Sequence, residues 1–376
     1  MQVNGTAFGQ LPDGGDALLF TISNKAGMQV ALTNVGGCIV SVKVPTAAGE
    51  LVDCVLGYDD AAGYVNNGPM FGAPVGRVVN RIAGASFELG GTTYELTANE
   101  GPNANHSGRD PWFQREWEVV RAEQGEDGGT VEFRLLSPDG DQGFPGEVDM
   151  HMTYELDGHD ALCVTYDGTA SAPTLINMTN HSYFNLNGCD GQTVLHHRLT
   201  VDADSYTETT DALIPTGRVL PIDGTPLDVH DGKELEDVVG SKAPSIVNAR
   251  GIDHNFVLAP AEEGKDGFVG AQRHVARLEA DQTGIVLDIS TDLPGMQVYT
   301  GNYVEGSSGK GGVAYHDHCA VALETNFYAD AIHHPNFPQP VFGPDRPYRT
   351  RTVYAFSARW AAVGSADRPA IVGWPL

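Results

Sequence analysis

The sequence predicts an all-β protein, a large antiparallel β-sandwich, and three observations support that prediction. Short runs rich in β-branched and aromatic residues recur along most of the 376 residues. The chain contains 46 glycines and 22 prolines, a composition that suits many strands joined by tight turns. Helical periodicity is scarce, and strands in series without intervening helices favour antiparallel sheets packed face to face.

Several of the runs alternate apolar and polar residues, as a strand with one buried face should. The alternation is clearest in TVEFRLL (130–136) and VDMHMTYEL (148–156). The other runs that we expect to be strands are residues 17–22, 28–35, 38–44, 115–120, 161–168, 274–280, 284–290, 296–302, 319–325 and 352–358.

Helix and loop signals are few. Only GKELEDVVG (232–240) suggests a helix, of one or two turns. Residues 123–129, 261–267 and 306–312 are dominated by glycine and charged side chains, so we expect solvent-exposed loops there. None of them is long enough to link two domains, and no internal repeat of fixed period is visible. The sequence therefore predicts a single domain over residues 1–376.

The net charge excludes several classes of partner. The chain has 22 basic and 49 acidic residues, a formal charge of −27. A nucleic-acid-binding protein needs a basic surface that neutralises phosphates, so we expect no nucleic-acid partner. A polyanionic ligand would be repelled as well, although a local basic pocket could still hold one phosphate.

The cysteines and the apolar runs bear on the compartment. The five cysteines, an odd number without a Cys-x-x-Cys pair, disfavour a disulfide framework and a thiolate zinc site. No basic segment followed by an apolar stretch stands at the N-terminus, and no apolar run approaches the roughly 20 residues that span a bilayer. We therefore expect a cytoplasmic protein without a membrane partner.

Five polar clusters stand out against the strand pattern. Each combines hydrogen-bonding side chains with nearby aromatic residues or glycines. A sugar site needs this combination, because hydroxyl groups require directional donors and acceptors while the C–H face of a pyranose packs on an aromatic ring. The clusters are GRVVNRI (76–82), GPNANHSG (101–108), INMTNHSYFNL (176–186), GIDHNF (251–256) and VALETNFYADAIHHPNFP (321–338).

One reaction suited to such a site is the exchange of the two anomers of a free sugar. A base removes the proton of the C1 hydroxyl while an acid protonates the ring oxygen O5, and rotation about C1–C2 followed by reclosure completes the exchange. The reaction needs no metal, nucleophile or redox cofactor. Two opposed proton-transfer groups suffice, each typically worth about 10²–10⁴ in rate.

His181 and Glu324 are the candidates for these two groups. His181 lies beside Tyr183 and Phe184, and Glu324 ends the strand-like run CAVALE. Their unperturbed pKa values of about 6.5 and 4.3 suit proton exchange. Taken alone, His181 also fits a core histidine and Glu324 a solvated strand end.

Other cluster residues have structural explanations when each is considered alone. Arg81, His106 and Asp253 fit structural or surface positions, and Asn80 fits a turn cap. The local sequence around any one of these residues therefore does not separate a functional role from a structural one.

The histidines do not predict a metal site. His316 and His318 would share one face of a strand, whereas the pairs 196–197 and 333–334 would point to opposite faces. A metal site needs further ligands and groups that orient them, and no such set is evident. GPMFGAPVG (68–76) has glycines but no P-loop lysine. We expect no metal and no cofactor.

The ordered set of clusters, from GRVVNRI through NHSYFNL to LETNFYADAIHHPNFP, resembles the aldose 1-epimerases, the galactose mutarotase family. GRVVNRI or LETN alone would be a weak match, whereas all of them in this order are specific. The resemblance implies a large antiparallel β-sandwich that interconverts the α and β anomers of a free hexose such as galactose or glucose. It implies a small-molecule sugar partner and no cofactor.

The resemblance also assigns roles position by position. His181 in NHSYFNL matches the family's general acid, which protonates O5. Glu324 in LETN matches the general base, which takes the proton of the C1 hydroxyl. The positions that match substrate-binding residues are Asn80, Arg81, His106, Asp253 and Gln297.

Two departures and three alternatives accompany the resemblance. The family commonly has leucine before the histidine of NANHSG and two glycines after it, and glutamine where LETN has asparagine. Both changes bear on pocket shape and so on substrate choice.

The alternatives are a non-catalytic sugar-binding protein, an epimerase of a hexose phosphate, which would use Arg77 and Arg81, and an epimerase of a disaccharide reducing end. A monomer and a homodimer are both compatible with the sequence.

Overall fold

The computed structural model describes residues 1–359, which form large antiparallel sheets and few, short helices. This architecture confirms the all-β antiparallel sandwich that the sequence predicts. The end of the domain expected over residues 1–376, from residue 360 onward, lies outside the described residues.

The strands alternate with tight turns along the described chain. In chain order they are β1 (Thr6–Gln10), β2 (Asp16–Ser23), β3 (Gln29–Thr33), β4 (Ile39–Pro45), β5 (Leu51–Asp53), β6 (Ala73–Val75), β7 (Arg81–Ile82), β8 (Ser86–Leu89), β9 (Thr92–Glu95), β10 (Ala104–Asn105), β11 (Glu118–Gln124), β12 (Gly129–Ser137), β13 (Val148–Leu156), β14 (Ala161–Ala170), β15 (Thr174–Leu175), β16 (Thr179–His181), β17 (Tyr183–Phe184), β18 (Arg198–Val201), β19 (Ala203–Thr209), β20 (Pro215–Pro221), β21 (Lys233–Glu234), β22 (Asp253–Leu258), β23 (Arg273–Glu279), β24 (Ile285–Thr291), β25 (Gly295–Tyr299), β26 (Ser307–Ser308), β27 (Ala314–Tyr315), β28 (Val321–Asn326), β29 (Val341–Phe342) and β30 (Tyr348–Ala358).

The helices are one or two turns long, and α1 and α3 have recognisable start signals. Helix α1 (Ala61–Val65) begins after Asp60, whose carboxylate accepts a hydrogen bond from the Gly63 N–H at 3.2 Å. Helix α2 (Leu235–Val239) confirms the helix expected within 232–240. Helix α3 (Pro244–Ala249) begins with proline at its first position. Single 3₁₀ turns lie at Ala83–Ala85, Trp112–Gln114, Asp141–Gly143, Lys310–Gly312 and Ala331–His333.

Three large sheets form the sandwich, and short two-stranded ribbons accompany them in the described residues. A nine-stranded sheet has the order β11-β12-β13-β14-β30-β24-β23-β18-β21. A six-stranded sheet has the order β17-β28-β25-β22-β19-β20, and a five-stranded meander runs from β1 to β5. Buried side chains from all three sheets, such as Phe20, Met152 and Met296, belong to one hydrophobic core.

The core forms because the strands alternate as the sequence indicates. Every second residue of β12 and β13 is buried, and the register pairs Val131 with Tyr154 and Phe133 with Met152. Each fully buried side chain of this size contributes about 1.5–3 kcal/mol relative to an exposed one. The two runs with the clearest alternation are therefore neighbouring strands, second and third from one edge of the nine-stranded sheet.

Several expected strands differ in their bounds from the structure, and contacts of two of them show the reason. Residues 115–120 form a strand only from Glu118 onward, because the Trp117 indole donates to the Trp112 carbonyl at 3.0 Å and closes a turn there. The run 296–302 ends as a strand at Tyr299. The Thr300 hydroxyl then donates to the Asn302 side chain at 2.6 Å in the turn that follows.

The loop expected at 306–312 is more ordered than the sequence indicates. It contains β26 and a 3₁₀ turn, and the Lys310 ammonium donates to Asp53 Oδ2 and to the Val55 carbonyl, both at 2.8 Å. A glycine-rich segment with one lysine predicts an exposed loop. The acidic partner of that lysine, Asp53, lies on β5 and is far away in the sequence, so the segment itself does not reveal the contact.

None of the helices in residues 1–359 is long and apolar enough to cross a bilayer.

Candidate active site

The six-stranded sheet brings polar residues from three strands onto one face. In the antiparallel register Asn255 on β22 pairs with Gln297 on β25, and Gln297 pairs with Glu324 on β28. Side chains directly opposite one another share a face of the sheet, and Asp253 shares it because it precedes Asn255 by two residues. Two carboxylates and two amides that are far apart in sequence thus form a single polar surface.

His181 reaches this surface from β16. Its backbone pairs with Ala73 on β6, and its imidazole Nε2 lies 3.4 Å from Glu324 Oε1. Both residues are buried, at 3% and 2% exposure. The Tyr183 ring packs against the imidazole with centroids 4.9 Å apart, and His181 Nδ1 has no hydrogen-bond partner on another described residue. The two groups expected to exchange protons are therefore in contact.

Burial shifts the pKa of both groups towards their neutral forms. Desolvation lowers the pKa of His181 to about 4. Desolvation also raises the pKa of Glu324 well above its usual range, the Asp253 carboxylate adds to that increase, and the Arg81 guanidinium opposes it. Glu324 therefore holds the one proton of the pair in the free site, and moving that proton to His181 creates the ionised base and the protonated acid together.

His106 and Asn80 form a second, tightly bonded unit. Both have positive φ, 49° and 62°, and β7 and β10 pair beside them. The Asn80 N–H donates to His106 Nδ1 at 3.3 Å, and the His106 N–H donates to the Asn80 carbonyl at 3.1 Å. Because Nδ1 accepts, we assign the proton of the neutral imidazole to Nε2. Burial lowers the pKa of His106 well below its usual value, so this histidine is a neutral donor.

Arg81 is held by an acidic residue that the sequence analysis did not single out. Arg81 Nε and one terminal nitrogen donate to the two Glu100 carboxylate oxygens at 2.6 and 3.0 Å. This bidentate geometry fixes the plane of the guanidinium. Glu100 lies in a turn beside Gly101, and nothing local distinguishes it from the other acidic loop residues of this chain.

Asp253 and Gln297 complete the arrangement. Gln297 Nε2 donates to Asp253 Oδ1 at 2.5 Å. Burial raises the pKa of Asp253, while the Arg81 charge and the Gln297 hydrogen bond oppose the increase. The seven residues proposed from the sequence thus lie around one site, and a pocket within it is lined by Asn80, Arg81, Thr207, Thr209, Leu213, Pro215, Asp253, Asn255, Gln297 and Ala329.

Two further residues connect the sequence clusters. The Asn177 amide donates to the Phe327 carbonyl and accepts from the Phe327 N–H, both at 2.9 Å. Asp330 accepts from the Ala83 N–H at 2.9 Å and donates its own N–H to the Arg81 carbonyl at 3.0 Å. Asparagine and aspartate recur within the clusters, which is the available signal, but their partners lie in other clusters.

Most of the histidines considered as metal ligands have other partners. His197 Nε2 accepts from the Leu186 N–H at 3.0 Å, and His333 and His334 lie 2.6 and 3.4 Å from the carboxylate of Asp330. His196 lies near Glu234 and Glu236 on the exposed surface of the described chain. Exposed acidic groups of this kind are common without an ion, so they do not define a metal centre.

Comparison with known proteins finds similarity to one family over nearly the whole chain. The family model described as aldose 1-epimerase matches residues 18–355. Galactose mutarotase from Rattus norvegicus is 37% identical over 358 residues, covering 95% of this chain and 99% of that protein. Aldose 1-epimerase from Escherichia coli is 32% identical, covering 92% and 97%. The crystal structure of an aldose epimerase homologue from C. elegans has a TM-score of 0.82 at 29% identity, covering 91% and 99%.

Proposed function

Because the chain belongs to the aldose 1-epimerase family, we propose that it interconverts the α and β anomers of free hexoses such as galactose and glucose, with His181 and Glu324 as acid and base. The observation that supports these two roles most directly is the 3.4 Å approach of His181 Nε2 to Glu324 Oε1 in a buried site. An acid and a base this close can reach the C1 hydroxyl and the O5 atom of one bound sugar.

The proposed reaction is an acid–base cycle. Glu324 takes the proton of the C1 hydroxyl, and the C1–O5 bond breaks as His181 donates its proton to O5. The product is the open-chain aldehyde. After rotation about C1–C2, the O5 hydroxyl attacks the other face of C1 and returns its proton to His181, while Glu324 protonates the former aldehyde oxygen, which becomes the new C1 hydroxyl. The cycle consumes no proton and leaves both residues as they began.

We assign substrate binding to the residues around the pair. The His106 imidazole and the Arg81 guanidinium offer N–H donors, the Asp253 carboxylate offers acceptors, and the amides of Asn80 and Gln297 offer both. Hydroxyl groups of a sugar donate and accept hydrogen bonds, so such a mixed set suits them. Holding the ring in one orientation places O5 and the C1 hydroxyl before the acid and the base.

The electrostatics favour a neutral sugar over a hexose phosphate. Arg81 already binds Glu100 through two hydrogen bonds, and the carboxylates of Asp253 and Glu324 lie on the same side of the sheet. Arg77 is buried and donates to the Pro145 and Gly146 carbonyls and to Ser137. A phosphate would therefore meet acidic groups without an unpaired arginine to bind.

A purely sugar-binding protein would not need the buried ionisable pair. Two desolvated ionisable groups are costly to bury, and a binding site can be built from amides and aromatic rings alone. His181 and Glu324 therefore support an enzyme over a binding module. The same chemistry fits the reducing end of a disaccharide, and polarimetry with α-lactose distinguishes that substrate from a monosaccharide.

Polarimetry tests the proposal. Freshly dissolved α-D-galactose, α-D-glucose and α-lactose are followed with and without the protein, and the spontaneous rate is subtracted. We expect faster approach to an unchanged final rotation with the monosaccharides. A folded sample that accelerates none of the three would contradict the function, and acceleration of α-lactose alone would move the substrate to a disaccharide.

We extend the proposal to the domain organisation and the location of the protein. One core shared by the three sheets supports a single domain. Five free thiols suit the reducing cytoplasm, and we propose that location. Sedimentation of the purified protein decides between a monomer and a homodimer.

A further inference from the structure

Asn255 is a buried side chain whose polar atoms have no partner. It is 3% exposed, and neither its amide nitrogen nor its amide oxygen has a hydrogen bond within the described chain. Asn255 nevertheless lines the same pocket as Asn80, Asp253 and Gln297. Buried polar side chains in proteins are normally hydrogen-bonded, so an unpartnered amide facing a pocket needs an explanation.

The residues around Asn255 leave space beside its amide but give it no hydrogen-bond partner. On the neighbouring strand, a Cβ atom at Gly295 would lie 2.7 Å from Asn255 Oδ1 and 2.8 Å from the Tyr328 ring. Any larger residue at 295 would therefore displace the amide. The absence of a side chain there lets the Asn255 amide and the Tyr328 ring both lie close to the Gly295 backbone.

The register places Asn255 at the end of the substrate-binding row. Asn255 pairs with Gln297, which pairs with the proposed base Glu324. Gln297 uses its amide nitrogen on Asp253, so the amide of Asn255 remains available to a ligand. An amide offers two N–H donors and one acceptor oxygen, the complement of a hydroxyl group or of two neighbouring hydroxyls.

We propose that Asn255 binds a ring or hydroxymethyl hydroxyl of the sugar through its amide and so contributes to the choice of substrate. This inference rests on the proposed function and extends it to a residue outside the seven identified from the sequence. A bound hydroxyl gives this buried amide a hydrogen-bond partner that the protein itself does not supply. A sugar that lacks the hydroxyl leaves the amide unpaired and is discriminated against.

The test combines protein variants with deoxy sugars. kcat/KM is measured for galactose and its 2-, 3-, 4- and 6-deoxy derivatives with the wild type and with Asn255→Leu, which has similar volume and no hydrogen-bonding atoms. We expect the variant to lose about tenfold or more on galactose, as an unpaired hydrogen-bonding group costs. The wild type should have a low kcat/KM for the one deoxy sugar that lacks the bound hydroxyl. The substitution should lower kcat/KM for that sugar little further. Equal losses on galactose and on all four derivatives would overturn the proposal.

The melting temperature is a second measurement, because it should fall if Asn255 has a structural role and should not fall if Asn255 binds the ligand. Asn67 is a matched control, since it is also buried but donates to the Phe71 carbonyl at 2.9 Å and accepts from the Phe71 N–H at 2.8 Å. We expect Asn67→Leu to lower the melting temperature and Asn255→Leu to leave it unchanged or raise it. A decrease for Asn255→Leu as large as that for Asn67→Leu would assign Asn255 to the folding of the site and contradict the proposal.

A binding measurement separates this inference from the proposed function. If the wild type does not accelerate mutarotation, the function fails, yet the increase in melting temperature caused by galactose can still be compared in the two proteins. Loss of that increase in Asn255→Leu supports the contact, and an undiminished increase overturns it.

Discussion

Glu324 Oε1 and His181 Nε2 lie 3.4 Å apart, although the two residues belong to different strands and neither is more than 3% exposed. Burial alone would keep each group neutral. Proximity changes the outcome, because a proton that leaves the glutamic acid can be held by the imidazole beside it, and the resulting opposite charges attract. The proposed acid and base are thus one coupled unit.

Replacing Glu324 by glutamine should remove the base while keeping its shape. We expect kcat to fall by about 10²–10⁴, the typical value of one proton-transfer group. Glu88→Gln, an exposed change on β8, is the control and should retain the wild-type rate. Polarimetry measures both variants, and near-normal turnover by Glu324→Gln would remove this residue from the base role.

Two buried histidines should respond in opposite ways to substitution by asparagine. Burial lowers the pKa of both His181 and His197 to about 4. His197 accepts from the Leu186 N–H, whereas His181 has no such backbone partner on another residue. We expect His181→Asn to lose about 10²–10⁴ in rate with little change in melting temperature. His197→Asn should lower the melting temperature more than the rate, and the reverse pattern would reassign the acid.

The pH profile should be broad, with an acid limb near pH 4. The active pair holds one proton. Below the lowered His181 pKa of about 4 a second proton is added and the base is lost. Above the raised pKa of Glu324 the pair loses its proton and the acid is lost. The measurement is kcat against pH in the range where the protein is folded. An acid limb at about 6.5, the unperturbed value for histidine, would contradict the coupled pair.

Glu100 should act through Arg81. Replacing Glu100 by glutamine breaks the charged bidentate bond and frees the guanidinium to rotate. We expect KM to rise several-fold with a smaller change in kcat. Glu118→Gln removes a similar carboxylate from an arginine pair on an exposed strand and is the matched control. Equal KM values for Glu100→Gln and the wild type would contradict this positioning role.

Asp292 should make stability fall as the pH rises. Burial raises its folded pKa to about 7, above the unfolded value of about 3.9. The stability linked to its proton is therefore present at acid pH and is lost as the pH rises through 7. Asp292→Asn keeps the acceptor for the Arg351 N–H, so its melting temperature should decline less between pH 5 and 8. Parallel declines in the two proteins would exclude this group as the cause.

Strand patterns predict much of the fold because the alternation of apolar and polar residues along a strand shows which of its faces is buried. Residues 148–156 were expected as one strand and form β13 with the same bounds. The pattern of 115–120 predicts a strand that begins too early, because the Trp117 indole bonds back to the Trp112 carbonyl in a turn, a contact that alternation does not show. The composition of 306–312 does not reveal how ordered this segment is, because Asp53, the partner of Lys310, comes from another sheet.

The sequence by itself determined the fold class, the reaction class through its ordered clusters, and seven polar residues that the structure places around one site. Only the tertiary structure showed that Glu100 orients Arg81, that His181 touches Glu324, and that Asn255 has an unpaired amide. The physical reason is that composition and periodicity report how one strand meets solvent. Hydrogen bonds and pKa shifts depend on which strands lie side by side, and that register is decided by the whole chain.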